Sequence, residues 1–186
     1  MKFLLGKKLN MTQIWAEDKV IPVTELEVGP CFVTQVLFGK VQIGFDKLPK
    51  RKIKKSQITA PYRILKEFKT EEPHKVGDQL DLSIFEEGEL IRISGMSKGK
   101  GFQGGVKRHG FSGFGKSHGV KHGERRIGSI GSAWPQRVIK GRRMPGRMGS
   151  DRTTVKNIKI IKIEGNRVFI KGAVPGIPGG YIEIKS

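Results

Sequence analysis

The segment Lys98–Gly149, which begins KGKGFQGGVKRHGFSGFGKSHG (residues 98–119), divides the chain into two kinds of sequence. It contains 13 Lys and Arg but one acid, Glu124, and it holds 14 of the 26 glycines. It has no leucine and six branched aliphatic residues among its 52 positions. Such a segment cannot bury enough apolar surface to form a core, and ordering it costs on the order of 50–100 kcal/mol. We therefore predict that a polyanion orders this stretch, the basic segment.

The rest of the chain has the composition of an ordinary folded domain. The 186 residues are 36% hydrophobic, which can supply one core. Outside the basic segment 23 bases face 16 acids, a balance of +7, so the basic segment carries +12 of the formal +19. This localised charge predicts a nucleic-acid partner and no small-molecule substrate. A membrane surface is disfavoured, because a glycine-rich segment does not form the basic amphipathic helix that binds one.

Alternating polar and apolar residues predict β-strands on both sides of the basic segment. Before the segment they predict an antiparallel meander, and after it a hairpin that turns at Gly165-Asn166. A one-residue phase slip between Ile160 and Ile161 predicts a β-bulge. Two short apolar pieces, Phe3–Leu9 and Gln13–Trp15, precede a turn predicted at Ala16–Lys19. The predicted strands are Val20–Val28, Cys31–Phe38, Val41–Asp46, Gln79–Ile84, Leu90–Ile93, Thr153–Glu164, Arg167–Lys171 and Tyr181–Ile184, and Tyr62–Phe68 is left open between a strand and a helical turn.

We therefore predict a mainly β protein with a small β-barrel made of residues 1–97 and 150–186. Residues 98–149 are a long irregular basic extension inserted between two strands that are neighbours in the barrel. Within the body, the bases of Leu48–Pro61 are interpreted as a solvated loop, with a second RNA contact as the alternative.

The glycines at positions 99, 101 and 104 match G-x-G-x-x-G, the pattern of a dinucleotide-binding turn, and follow a predicted strand. That motif requires a helix after the glycines, but Gly105–Gly119 has five glycines and no helical periodicity. We interpret these glycines instead as positions where the backbone approaches a phosphodiester chain closely. No cofactor is predicted.

Three histidines, His109, His118 and His122, do not complete a metal site, because Glu124 is the only other ligand type near them in sequence. We expect them to stack on bases or bond to phosphate. Catalysis by acid and base needs rigidly held groups, which a glycine-rich segment does not supply. We therefore predict neither a catalytic residue nor an enzyme.

The lone Cys31 is predicted to be a small core residue in a reducing compartment. The N-terminus has three consecutive apolar residues, too few for a signal peptide, and no run approaches the roughly 18 residues of a membrane span. We expect a cytoplasmic protein without membrane contact.

Aromatic residues interleave with the bases of the basic segment, at Phe102, Phe111, Phe114 and Trp134. Stacking against RNA and packing on the barrel are both open for them. Arg suits RNA because its planar guanidinium bonds phosphate bidentately and stacks on bases. The predicted RNA-binding residues are Lys98, Lys100, Gly101, Phe102, Gly104, Lys107, Arg108, His109, Lys116, His118, Lys121, His122, Arg125, Arg126, Trp134, Gln136, Arg137, Lys140, Arg142, Arg143, Arg147 and Arg152.

Several landmarks together resemble the large-subunit ribosomal protein L three family, of bacterial type, nearly from end to end. The signature pattern is matched by Phe85, Gly95, Ser97, Gly99, Lys100, Gly101, Gly104 and Arg108, and further landmarks are Gly6–Asn10 with Met11-Thr12, Gly128–Gly131, Lys140–Met144 and Gly172–Gly176.

The resemblance implies a translation-factor-like β-barrel in the large ribosomal subunit. It also implies binding to 23S rRNA near its 3′ domain, early assembly, contacts with neighbouring ribosomal proteins, and an extension that points towards the peptidyl transferase centre. By position Ser132–Arg137 is the tip of that extension, one residue short of the family pattern, and no methylation is predicted there. The alternative is a non-ribosomal RNA-binding module or assembly chaperone.

Overall fold

The computed structural model describes residues 2–16, 19–70 and 72–186. The chain divides into two compact units, residues 1–97 with 152–186 (the body unit) and residues 98–151 (the extension unit). The protein is mainly β, as predicted. In the described residues the strands are β1 Phe3–Ala16, β2 Lys19–Val28, β3 Cys31–Leu37, β4 Lys40–Lys47, β5 Tyr62–Lys69, β6 Gln79–Leu80, β7 Leu90–Met96, β8 Gly101–Gln103, β9 Gly146–Met148, β10 Arg152–Glu164, β11 Arg167–Lys171 and β12 Tyr181–Lys185, and the α-helix is α1 Gly105–His109.

Six strands of the body unit form a closed antiparallel sheet in the order β1-β12-β7-β10-β11-β2, with β2 returning to β1. The strands that precede and follow the basic segment, β7 and β10, are neighbours, with Met96 opposite Arg152, which confirms that prediction. The hairpin at Gly165-Asn166 is confirmed by pairing of the strands on either side of it. The predicted bulge is also confirmed, because the β10–β11 register shifts between Ile160 and Lys162.

Four further strands of the body unit form a second sheet in the order β5-β4-β3-β6. The predicted meander was therefore wrong at one connection, since β2 and β3 belong to different sheets. Gly29 has a φ of +64°, and Pro30 has no N–H to donate, so the chain changes direction between the two strands. The open assignment of Tyr62–Phe68 resolves as a strand, β5, which pairs with β4.

The prediction for the N-terminal residues needs correction. The apolar pieces before Ala16 belong to one strand, β1, whose pairing with β2 shifts register between Lys8 and Met11, and the shift interrupts the apolar alternation. The predicted turn at Ala16–Lys19 includes residues 17 and 18, which lie outside the described residues.

The strand predicted at Gln79–Ile84 is wrong beyond Leu80. Only β6 pairs there, and Leu82–Ile84 is a 3-10 helix. Leu82 and Phe85 are both buried, three residues apart, and the amide of Phe85 donates to the carbonyl of Leu82. This i, i+3 spacing suits a 3-10 turn better than a strand. The basic loop after β4 holds two more 3-10 turns, Lys50–Lys52 and Lys55–Gln57, with no buried residue.

One buried apolar cluster includes residues of both sheets of the body unit. Phe3 of β1 stacks on Phe68 of β5, with ring centroids 4.7 Å apart. Cys31 is buried beside the backbone of Leu5, which confirms it as a core residue. Burial raises the pKa of the Cys31 thiol to about 11, so the thiol is not a nucleophile at neutral pH.

Candidate nucleic-acid interface

The extension unit begins and ends on a two-stranded ribbon formed by β8 and β9. Gly101 lies opposite Met148 and Gln103 lies opposite Gly146. Gly149, just after β9, has a φ of +76°, and a Cβ there would lie 2.1 Å from the carbonyl oxygen of Lys98. The two ends of the unit therefore approach at a distance that only glycine allows.

Helix α1 follows the ribbon and corrects the prediction that no helix lies after the glycine motif. The guanidinium Nη1 of Arg108 donates to the carbonyl oxygen of Met144 at 2.8 Å, and Nε2 of His109 lies 3.0 Å from the same oxygen. Gly110, at a φ of +72°, ends the helix in the left-handed conformation. A helix of five residues is too short to show an apolar periodicity in the sequence. Its stability comes from these tertiary contacts and not from an amphipathic face.

A tight loop brings residues 113–115 next to residues 123–128. The amide of Phe114 donates to the carbonyl of Glu124 at 3.1 Å. A Cβ on Gly113, whose φ is +72°, would lie 2.0 Å from that carbonyl oxygen. The carboxylate of Glu124 pairs with Lys116 at 3.3 Å, so the only acid of the basic segment already has a cationic partner.

The predicted RNA-binding side chains are nearly all at the surface. Of the 22 residues, only Arg108 and His109 are partly buried, since they hold α1 against Met144. Arg152 belongs to the body unit, where it donates to the Glu183 carboxylate at 2.6 Å. Within residues 98–149, all of which are described, Lys116–Glu124 is the only ion pair. The other twelve bases of this stretch have no acidic partner among residues 2–16, 19–70 and 72–186.

The aromatic residues of the extension unit divide into two groups. Trp134 is 77% exposed, Phe102 75% and Phe114 52%, so these rings are available to stack. Phe111 instead packs inside the unit, where a Cβ on Gly105 would lie 2.7 Å from its Cδ2 and 2.2 Å from Ile127 Cγ2. Residues 131–140, which include the tip, are all exposed.

The extension unit has at least two clefts, neither of which was predicted from the sequence. The larger, of about 590 Å³, is named the Phe114 cleft and is lined by Gly104, Gly105, Phe114, Arg125–Ser129 and Pro145. The second, of about 560 Å³, lies between Ser129–Ser132 and Ile139–Arg142, where Arg142 donates to the carbonyl of Ser129. The sequence carries only a weak signal for these clefts, which is the presence of isolated isoleucines next to glycines in an otherwise polar segment.

The described residues contain no group of three or more His, Cys, Asp or Glu side chains placed to hold a metal ion. No helix in the described part of the chain is long and apolar enough to cross a membrane.

Known proteins resemble this chain over its whole length. A sequence model described as ribosomal protein L3 matches residues 64–177, which include the entire extension unit. The chain belongs to the ribosomal protein L3 family. The resemblance found in the sequence is thereby confirmed, and the family is one of ribosomal proteins, not of enzymes.

The similar proteins include large ribosomal subunit protein uL3 of Corynebacterium jeikeium, which is 44% identical over 206 aligned positions that cover 100% of this chain and 94% of the relative. The uL3 of Thermosipho melanesiensis is 44% identical, with 100% and 98% covered, and that of Desulforapulum autotrophicum is 44% identical, with 99% and 98% covered. The first alignment has 206 positions against 186 residues here, so that member of the family carries residues that this chain lacks.

Proposed function

We propose that this chain is a non-enzymatic structural constituent of the large ribosomal subunit in the cytoplasm. It binds 23S rRNA near the 3′ domain, takes part in early subunit assembly and contacts neighbouring large-subunit proteins. Residues 1–97 and 150–186 form a translation-factor-like β-barrel that anchors the chain. Residues 98–149 form an extension that runs along rRNA towards the peptidyl transferase centre.

The observation that carries this proposal is a dense basic surface with no core beneath it. Among residues 98–151 only Gly105 is buried, and twelve of the 13 bases of residues 98–149 are exposed. A protein that folded for its own stability would gain little from this arrangement, because unpaired like charges repel. A polyanion removes the repulsion, and the released counterions drive binding.

The 22 predicted residues have distinct roles in this proposal. The exposed Lys and Arg bond to phosphate, the glycines let the backbone approach the RNA closely, and exposed rings such as Trp134 stack on bases. Arg108 and His109 act mainly by holding α1 in place, since both are engaged with Met144.

The salt dependence of binding tests the proposal. If about eight of the bases contact phosphate, the logarithm of the affinity for a transcript of the 23S rRNA 3′ domain should fall with the logarithm of salt concentration at a slope of roughly −6 to −7. A slope near −1 would contradict the electrostatic account. Replacement of Lys140 by Gln should make the slope shallower by about 0.7–0.9 if its ammonium contacts phosphate.

Sedimentation separates a ribosomal constituent from an assembly chaperone with the same chemistry. We expect the tagged chain to remain with mature large subunits through a high-salt gradient. A chaperone would be washed off or be absent from mature particles.

A further inference from the structure

We propose that the Phe114 cleft takes up a single unstacked nucleotide of the bound RNA, so that the extension unit holds one base in a pocket besides neutralising phosphates. This inference rests on the proposed RNA-binding function and specifies one contact within it. The cleft, of about 590 Å³, is walled by Phe114, Arg125 and Arg126, with glycine backbone at Gly104, Gly105 and Gly128.

The cleft has an apolar wall suited to stacking. The Phe114 ring is 52% exposed, although its own amide is fixed by the carbonyl of Glu124. An exposed ring on a fixed backbone is a platform for a base, and every base has a π-face that can stack on it.

The charge of the cleft favours a nucleotide over an apolar ligand. Arg125 and Arg126 are exposed, and neither has an acidic partner among the described residues. Glu124 is adjacent in sequence but pairs with Lys116, and it does not line the cleft. Two unpaired guanidinium groups at the rim of an aromatic pocket fit the phosphate and the base of one nucleotide together.

A substitution at Gly104 can fill the cleft without straining the fold. Gly104 has a φ of −70° and a ψ of 167°, which any residue adopts, and a Cβ there would meet no atom within 4 Å. Gly104→Val therefore places a side chain at the cleft with little cost to the backbone. Gly115 also has open space for a Cβ and lies outside the cleft, so Gly115→Val is the matched control.

The experiment measures binding of the full chain to a 23S rRNA 3′-domain transcript at several salt concentrations. We expect Phe114→Leu, which keeps apolar bulk but removes the π-face, to weaken binding roughly five- to a hundredfold without changing the salt slope. Gly104→Val should weaken binding at an unchanged slope, whereas Gly115→Val should leave affinity unchanged. Replacing Arg125 and Arg126 together by Gln should instead make the slope shallower by roughly 1–2.

Chemical probing of 2′-hydroxyl reactivity on the same transcript identifies the captured nucleotide. Phe114→Leu and Gly104→Val should alter reactivity at one and the same nucleotide. Unchanged affinity in both variants, or reactivity changes at unrelated nucleotides, would overturn the pocket while a steep wild-type slope still supports RNA binding. A wild-type slope near −1 would instead refute the RNA-binding function itself.

Discussion

The body unit has a buried apolar core, and the extension unit has none. In the body unit 22 described side chains from both sheets and their connections form one buried apolar cluster. In the extension unit Gly105 is the only buried residue, and hydrogen bonds and close glycine contacts define its conformation. The first unit is stabilised by apolar burial. The second has little of that stabilisation, and we propose that bound RNA adds to the contacts that order it.

The basic side chains of the two units also differ in whether they have acidic partners. In the body unit Arg152 and Lys66 both approach the carboxylate of Glu183, at 2.6 and 3.3 Å. In the basic segment the bases have almost no acids to pair with. Bases that are paired internally contribute to the fold, whereas unpaired bases remain available to an external polyanion.

Removing core volume from the body unit should give the largest effect. Ile93 is fully buried in the cluster, so Ile93→Ala should lower the free energy of unfolding by about 2–5 kcal/mol. Ile139 of the extension unit is 57% exposed, and Ile139→Ala should change it by no more than about 0.5 kcal/mol. Urea denaturation followed by circular dichroism measures both, and comparable losses in the two variants would break the distinction between the units.

A glycine substitution should act on the extension unit alone. Gly149→Ala brings a Cβ to 2.1 Å from the carbonyl oxygen of Lys98 at a φ of +76°, so the backbone must shift, at a cost of about 1–3 kcal/mol. We expect faster amide hydrogen exchange in residues 98–151 of the RNA-bound protein and lower RNA affinity, with the urea midpoint of the body unit unchanged.

The control for this prediction is Gly115→Ala, which adds its methyl group in open space. It should leave both hydrogen exchange and RNA affinity as in the wild type. If the two alanine variants behave alike, the close contact of Gly149 with the Lys98 backbone does not contribute to the order of the extension unit.

The strands of the body could be predicted from the sequence because burial alternates along them. Ile158 and Ile160 are buried on one face, and the phase slip after Ile160 is visible in the residues themselves. Elements that depend on distant contacts could not be predicted in this way. The single strand β1 contains a register shift, and α1 depends on hydrogen bonds to Met144, 35 residues from His109.

The candidate interface was predictable in its charge but not in its shape. Counting bases and acids is sufficient to locate the basic segment. The Phe114 cleft joins residues far apart in sequence: the amide of Phe114 donates to the carbonyl of Glu124, and Gly104 lines the same cleft. That arrangement has no periodic signal, because glycine turns, and not a repeating apolar pattern, set the path of the chain.

The smallest expected effect concerns the paired bases of the body unit in acid. Burial of the Glu183 carboxylate opposes its ionisation, but the hydrogen bond from Arg152 and the charges of Arg152 and Lys66 outweigh burial and lower the pKa of Glu183. A carboxylate whose folded pKa is depressed contributes stability above its unfolded pKa, about 4.3, and loses it as pH falls through the lower folded pKa.

Glu183→Gln should therefore lower stability at pH 7 and flatten the acid limb of the stability curve below about pH 4.3. Arg152 is 52% exposed, so solvent screening should limit the loss to under about 1 kcal/mol. Glu67→Gln is the control, because the Glu67–Lys40 pair is 3.9 Å apart with both side chains 47% exposed, and its curve should follow the wild type. Urea denaturation at pH 3 to 7 measures the curves. An acid limb as steep in Glu183→Gln as in the wild type would show that internal pairing of bases does not stabilise the body unit, which would remove the contrast with the unpaired bases of the extension.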